Sequence, residues 1–379
     1  MSAPPATLPD SLSRATRHQP RVRAELGAEL REPTHAYLFR GPSGSGKAAA
    51  ARAFAAELLA EGAPDPDDSR RRALIDPSPH PDLVWLRPPG AQHLVEDVRE
   101  SVIRAASLRP AEGERRVFVI EQAEDLRDES QNALLKTLEE PSAFAHLILL
   151  CSEPEQLAGT ILSRCRPIEF APLSPEAVAE ELGEAGPEAE AAARLCGGDM
   201  ALARLLLTER GRELRASATD AARAALAREG EQPTEPWRGM LASAEAAGAE
   251  AGAAEEQRLL EEGEGSARRG RSAGKLGREA IDQVKRTERR ARTDALDLGL
   301  GIACSWYRDL AAVSAGAEDV TLNRDRADEL AADAEGVDAG AAGRAVELVL
   351  DTRRRLRVNV SEELALEALW LGLARTLVP

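Results

Sequence analysis

Aromatic residues make up only 3% of this 379-residue chain, with five Phe, four Trp and two Tyr. Its cores must be built mainly from Ala and Leu, which dominate and are among the best helix formers. There are four cysteines, Cys151, Cys165, Cys196 and Cys304, and no two form a CxxC pair. That spacing argues against a structural zinc site, and so few scattered thiols suit a reducing compartment. No apolar run approaches the roughly 18 residues of a membrane-spanning helix. The start, Met1-Ser-Ala-Pro-Pro-Ala6, lacks the charged end and apolar stretch of a secretory leader. A cytoplasmic protein without membrane contact is expected. Basic surplus is missing too: 49 Lys and Arg against 65 Asp and Glu give a net charge of −16. Strong autonomous binding to nucleic acid is therefore disfavoured.

The apolar fraction of 43% is enough for real cores, and the length allows two or three domains. After a polar entry with one amphipathic helix near Val22–Leu30, the run Ala36-Tyr-Leu-Phe39 reads as a buried strand ending at a glycine loop. Helical composition follows from Lys47 to Ala60. Further strands are expected at Leu83–Leu86, Val117–Ile120, Leu147–Leu150 and Ile168–Phe170, with helices at Val95–Ala106 and Asp128–Leu138. Strands alternating with helices imply a parallel sheet covered on both faces. Beyond Pro172 the pattern becomes helical. Ser174-Pro-Glu has the form of a capped helix start. The expected division is an α/β domain over 1–172, a small helical lid over 173–214, a charged helical or partly mobile linker over 215–292, and an all-helical block over 293–379. The linker carries an acidic run, Glu255–Glu264, then a basic one, Arg268–Arg292. Such runs are usually solvated faces, and the alternative is a nucleic-acid patch.

The chemistry concentrates in Gly41-Pro-Ser-Gly-Ser-Gly-Lys47. In strand–loop–helix context, Gly41, Gly44 and Gly46 let backbone N–H groups turn toward phosphate, the helix adds its positive end, and Lys47 supplies a point charge. Hydrolysis asks for more. Ala48 stands where a hydroxyl would hold magnesium, and Glu121-Gln122 follow the third strand where an Asp-Glu pair is usual. An amide at Gln122 cannot accept the proton of an attacking water. Glu121 remains able to contact a metal, whereas Glu124 and Asp125 lie too far along the chain to take the same point. The loop is expected to be able to hold ATP without hydrolysing it.

Arg164, in Thr160-Ile-Leu-Ser-Arg-Cys165, follows the fourth strand. Spacing alone favours a surface ion pair. The other possibility is an arginine presented to phosphate on a neighbouring subunit.

Taken in order, Gln19-Pro, His35-Ala-Tyr-Leu-Phe, Gly41–Lys47, His80-Pro-Asp82, Asn132-Ala-Leu-Leu-Lys-Thr-Leu-Glu-Glu-Pro141 and Thr160–Cys165 resemble the bacterial clamp-loader AAA+ subunits of DNA polymerase III over about residues 15–210. Trp306–Leu310 and Asn359–Leu369 look, more loosely, like oligomerising collar helices. The resemblance implies a RecA-like α/β AAA+ nucleotide-binding domain, then a small helical lid and an all-α C-terminal collar. It also implies gamma/tau and delta subunits as partners, with the sliding clamp and primed DNA reached through the complex. Within the family, Ala48 and Gln122 favour a delta-prime-like subunit over the ATP-hydrolysing gamma/tau type. The Arg of the Ser-Arg-Cys motif enters the ATP site next door, a role that carries over to Arg164. Zinc-module cysteines are missing from Pro64–Ser78, so no zinc is expected. The family's second sensor arginine aligns with Leu202, two residues before Arg204, and its first sensor falls near Cys151-Ser152. His80 reads as a turn cap, Cys165 as a small buried residue, and Trp306 and Trp370 as helix-packing residues.

Overall fold

The structure, a computed structural model, describes residues 8–88, 92–227, 233–267, 278–356 and 360–377. The chain forms two compact units, 1–177 with 198–200, and 178–197 with 201–379.

The first unit begins with α1 (Asp10–Ala15), α2 (Pro20–Glu29), β1 (Ala36–Arg40), α3 (Lys47–Ala60), α4 (Pro66–Ala73), β2 (Leu83–Leu86) and α5 (Val95–Asp97). After α5 come β3 (Arg116–Ile120), α6 (Asp128–Glu139), β4 (Ala145–Cys151), α7 (Gly159–Leu162) and β5 (Arg166–Glu169). The five strands form one parallel sheet in the order β2-β3-β4-β1-β5. Both faces are covered, so β4 is buried at every position, as an uninterrupted apolar run requires. Alternation along β1 sends Tyr37 and Phe39 to one face, with Phe54, Leu58 and Ile168. Ala36 and Leu38 go to the other, with Phe118, Leu134 and Leu147. The Ala-rich α3 is buried almost throughout, and its small side chains bring its backbone close to the sheet.

One expectation changes form here. The single helix expected over Val95–Ala106 is α5 followed by a π-helical stretch, Val98–Arg104, and a 3-10 turn, Ala105–Ser107. The apolar set behind the expectation is kept, since Val98, Val102 and Ala106 are all buried.

The second unit is helical. Its elements run through α8 (Pro175–Leu182, which begins in the first unit), α9 (Pro187–Leu195), α10 (Met200–Leu207), α11 (Glu209–Ala224) and α12 (Arg238–Ala267). The long α13 (Arg278–Ser314) follows, then α14 (Ala327–Ala334), α15 (Ala339–Leu356) and α16 (Glu362–Leu377). Ser174 Oγ accepts from Ala177 N at 3.2 Å, the cap its sequence suggested.

Among the described residues, the stretch expected as a charged helical or partly mobile linker over 215–292 consists of the body of α11, all of α12 and the start of α13. Leu214, Ala218, Ala222, Trp237 and Met240 share one core with Trp306, Tyr307 and Trp370. That core also takes Ala192 and Leu206, so residues expected to form a separate lid pack with the helices that follow. Small residues explain why this packing is hard to see in the sequence. A Cβ on Gly248 would lie 2.8 Å from the Glu288 carbonyl oxygen, so the backbones of α12 and α13 touch where a side-chain pattern would otherwise show. Tyr307 Oη and Trp370 Nε1 donate to the carbonyls of Ala222 and Ala221, each at 2.9 Å, and so satisfy the C-terminal end of α11. Part of the basic run, residues 268–277, lies outside the described residues, as does Asn359. Farther along the run, Arg292 Nε donates to Glu362 Oε2 at 2.8 Å. Among the described residues no helix is long and apolar enough to cross a membrane.

Candidate functional site

β1 ends at Arg40, and α3 starts at Lys47. The loop between them turns on Gly41, Gly44 and Gly46, with φ of 150°, 68° and 91°. The chain braces this loop closely. Gly41 N donates to Cys151 O at 3.2 Å, and a Cβ on Gly41 would lie 2.2 Å from Phe170 O. The buried amide of Gln19 donates to Ser45 O at 3.1 Å and to Ala171 O at 2.6 Å, and accepts from Ala171 N at 3.2 Å. Gln19 thus ties the loop to the strand exit beyond β5, a positioning role that no local pattern announces.

Lys47 is 8% exposed. Its ammonium donates to the carbonyls of Gly41 and Pro42, the latter at 2.6 Å, and to Ser152 Oγ at 3.3 Å. Burial lowers its pKa, opposed by the nearby carboxylates of Glu124 and Asp199. The same burial, with Glu124 beside it, pushes the Cys151 thiol up to about 12.

Glu124 was expected to lie too far along the chain to take the catalytic point at Gln122. The 3-10 turn Ala123–Asp125 instead brings its carboxylate round to accept from Ser152 N at 2.9 Å, one residue from the lysine. Its other oxygen is buried without a hydrogen-bond partner. Asp199 also borders the loop. Its Cα, Cγ and Oδ1 lie 2.2, 2.4 and 2.4 Å from where a Gly44 Cβ would stand.

Glu121 points elsewhere. Its Oε1 accepts from Trp85 Nε1 at 2.6 Å and from Arg87 Nε at 3.2 Å, both next to or on β2, the edge strand on the far side of β3 from β1. Glu121, which the sequence left able to contact a metal, has its Oε1 engaged by the indole and the guanidinium. Gln122 is exposed and sits in the left-handed region at φ 49°, which is uncommon for a non-glycine residue. With no hydroxyl at Ala48, Glu121 turned away and two carboxylates beside Lys47, the residues present do not fit a magnesium nucleotide.

Arg164 lies on the turn after α7. Its guanidinium donates to Thr160 O at 2.9 Å and Ser163 Oγ at 3.3 Å, and pairs with Glu139 at 2.7 Å. Both partners of that ion pair are part exposed, at 34% and 48%. A cleft of about 580 Å³ opens beside it, lined among others by Ser163, Arg164, Arg166, His35 and His146. Cys165 is buried, and burial pushes its thiol up to about 12, which makes it a packing residue rather than a nucleophile.

His80 caps its turn as expected: Asp82 N donates to Nδ1 at 3.1 Å, and Nε2 meets Ser69 Oγ at 2.9 Å. Among the described residues no cluster of three His, Cys, Asp or Glu could hold a metal ion. Ser152, near the expected first sensor, touches Lys47 directly. Leu202 and Arg204 belong to α10 in the second unit.

Residues 19–174 match the family described as DNA polymerase III, delta subunit. Over 174 residues the chain is 33% identical to DNA polymerase III subunit delta' of Bacillus subtilis, covering 44% of this chain and 51% of that protein. Against subunit delta' of Pseudomonas aeruginosa it is 35% identical over 210 residues, covering 52% and 62%. Against subunit tau of Bacillus subtilis it is 32% identical over 150 residues, covering 38% and 26%. The chain thus spans 51% and 62% of the two delta' relatives' lengths.

Proposed function

We propose, from the match of residues 19–174 to the family described as DNA polymerase III, delta subunit, that this chain is a delta-prime-like subunit of a clamp loader. It would assemble with gamma/tau and delta subunits in the cytoplasm and help place a sliding clamp on primed DNA. It has the α/β AAA+ fold followed by helices, and it contributes to ATP turnover in the complex without performing it.

One observation carries this reading. The phosphate loop is kept while Ala48 removes one magnesium contact and Glu121 is bound to Trp85 and Arg87. Such a chain is suited to acting on a neighbour. Arg164 is the group for that role. Its part-exposed pair with Glu139 is worth about 0–1 kcal/mol, so a phosphate group presented by an adjacent subunit can displace the carboxylate. An arginine supplied in trans can be worth about 10³–10⁵ in turnover. Zinc has no part in the proposal. The second reading, an ATP-hydrolysing gamma/tau-type subunit, draws on the similarity to a tau subunit. The side chains at positions 48, 121 and 122 weigh against it.

The test is reconstitution. The purified chain is assayed for ATP turnover alone, then mixed with the gamma/tau and delta subunits of its own cell. Formation of a stable complex that loads clamps, with no turnover by the chain alone, supports the proposal. Loader-like turnover by the isolated chain, or failure to enter the complex, overturns it.

A further inference from the structure

The phosphate loop is closed by groups of its own chain. Gly44 is the residue whose backbone should face a bound phosphate, and Asp199 is packed against it. The Asp199 Cα and carboxylate lie within 2.4 Å of the position a Gly44 side chain would take. The next glycine, Gly198, is pressed on the Leu173 backbone, where a Cβ would meet N at 2.6 Å and O at 2.9 Å. The segment bearing Asp199 is therefore wedged between the loop and the exit from the sheet domain. Lys47 gives its N–H groups to Gly41 O, Pro42 O and Ser152 Oγ. Its charge is faced by Glu124 from the 3-10 turn after β3, by Cys151 from the end of β4, and by Asp199. Cys151 is kept protonated by burial, so Glu124 and Asp199 are the negative groups near the lysine.

We propose that Asp199 excludes nucleotide from this loop, holding it as an internal fastener, and that removing the Asp199 carboxylate charge would open it to a polyphosphate. The glycines and Lys47 make a phosphate cradle, and the loop backbone is wound as such a cradle needs. Its positive field is spent on the chain's own carboxylates. A triphosphate entering it would bring several negative charges beside Asp199, which is half-buried against the loop, and like charges a few ångströms apart repel. The proposal concerns nucleotide binding by the chain alone, so it stands or falls separately from the role given to Arg164.

The experiment uses the full chain and ATP as the probe, in titration calorimetry at fixed salt. Wild type, Asp199→Asn, Asp199→Ala, and Asp199→Asn combined with Lys47→Ala are compared, each first checked for an unchanged thermal transition. Asn keeps the size of the side chain and covers the case in which Ala disturbs the segment. ATP binding at least about tenfold tighter in Asp199→Asn than in wild type, lost again with Lys47→Ala, is the expected result. Equal binding in wild type and both single variants, whether tight or absent, would overturn the proposal. So would a gain that survives the loss of Lys47.

Discussion

Placing a methyl group on Gly44 tests the closed loop through stability rather than binding. Two costs add. Gly44 has φ +68°, and holding an L-residue in the left-handed region costs about 1–2 kcal/mol. The new Cβ would also stand 2.2 Å from Asp199 Cα. A backbone atom cannot swing aside like a side-chain tip, so the segment must shift, at about 1–3 kcal/mol by analogy with overpacked cores. Gly46 is the control in the same loop: its φ is +91°, and the nearest atom to its Cβ position is Ala15 O at 3.9 Å. Gly46→Ala should therefore carry the backbone cost alone. Hydrogen exchange of the amides in β1 and β4 reports opening of this unit, independently of the helical one. Since about 1.4 kcal/mol is a factor of ten, Gly44→Ala should raise exchange roughly tenfold or more beyond Gly46→Ala. Equal acceleration in the two variants would mean that Asp199 is not packed on the loop, and the closed-loop proposal would lose its geometric basis.

Two further outcomes concern stability. His80 and His146 both have pKa values lowered, chiefly by burial, from an ordinary value of 6.5. The unfolded chain then binds protons below about 6.5 that the folded chain refuses. Stability of the first unit should be full above that pH and decline as pH falls toward the folded values. A His80→Gln, His146→Gln double variant should flatten the decline between pH 7.5 and 5.5, and an unchanged slope would refute this. In the second unit, fully buried Asp309 accepts from Leu322 N and Asn323 N, at 2.9 and 2.8 Å, and from Asn323 Nδ2 at 2.9 Å. Asp309→Ala strands these donors and should cost at least about 3 kcal/mol in thermal unfolding, with Asp309→Asn milder. A loss below about 1 kcal/mol for Ala would show that water replaces the carboxylate.

Much of the α/β unit can be read from its sequence because its strands are continuous apolar runs. β2 falls where Leu83–Leu86 suggested, and β4 extends Leu147–Leu150 by a few buried residues at its ends. The glycine loop is equally plain, since positive φ leaves a glycine signature. What the sequence hid were contacts across long separations. Nothing near Glu121 announces that Trp85 and Arg87 hold it. Counting residues from the strand gives no sign that a tight 3-10 turn folds the Glu124 side chain back toward Ser152. Asp199 approaches Gly44 from the turn before α10, more than a hundred residues along the chain. In α11 and α12 the buried faces are rich in Ala and Gly, whose weak hydropathy contrast hides which side of each helix packs.

The most direct measurement is DNA-stimulated ATP turnover of the assembled loader with Arg164→Ala in this chain. On the proposed trans role, turnover at the adjacent subunit's site should fall by about 10³ or more, leaving only what other sites supply. Assembly should be unchanged and the thermal transition little altered, since what is lost is a part-exposed ion pair with Glu139 and exposed hydrogen bonds to Thr160 O and Ser163 Oγ. Unaltered turnover in a properly assembled Arg164→Ala complex would contradict the trans-acting role.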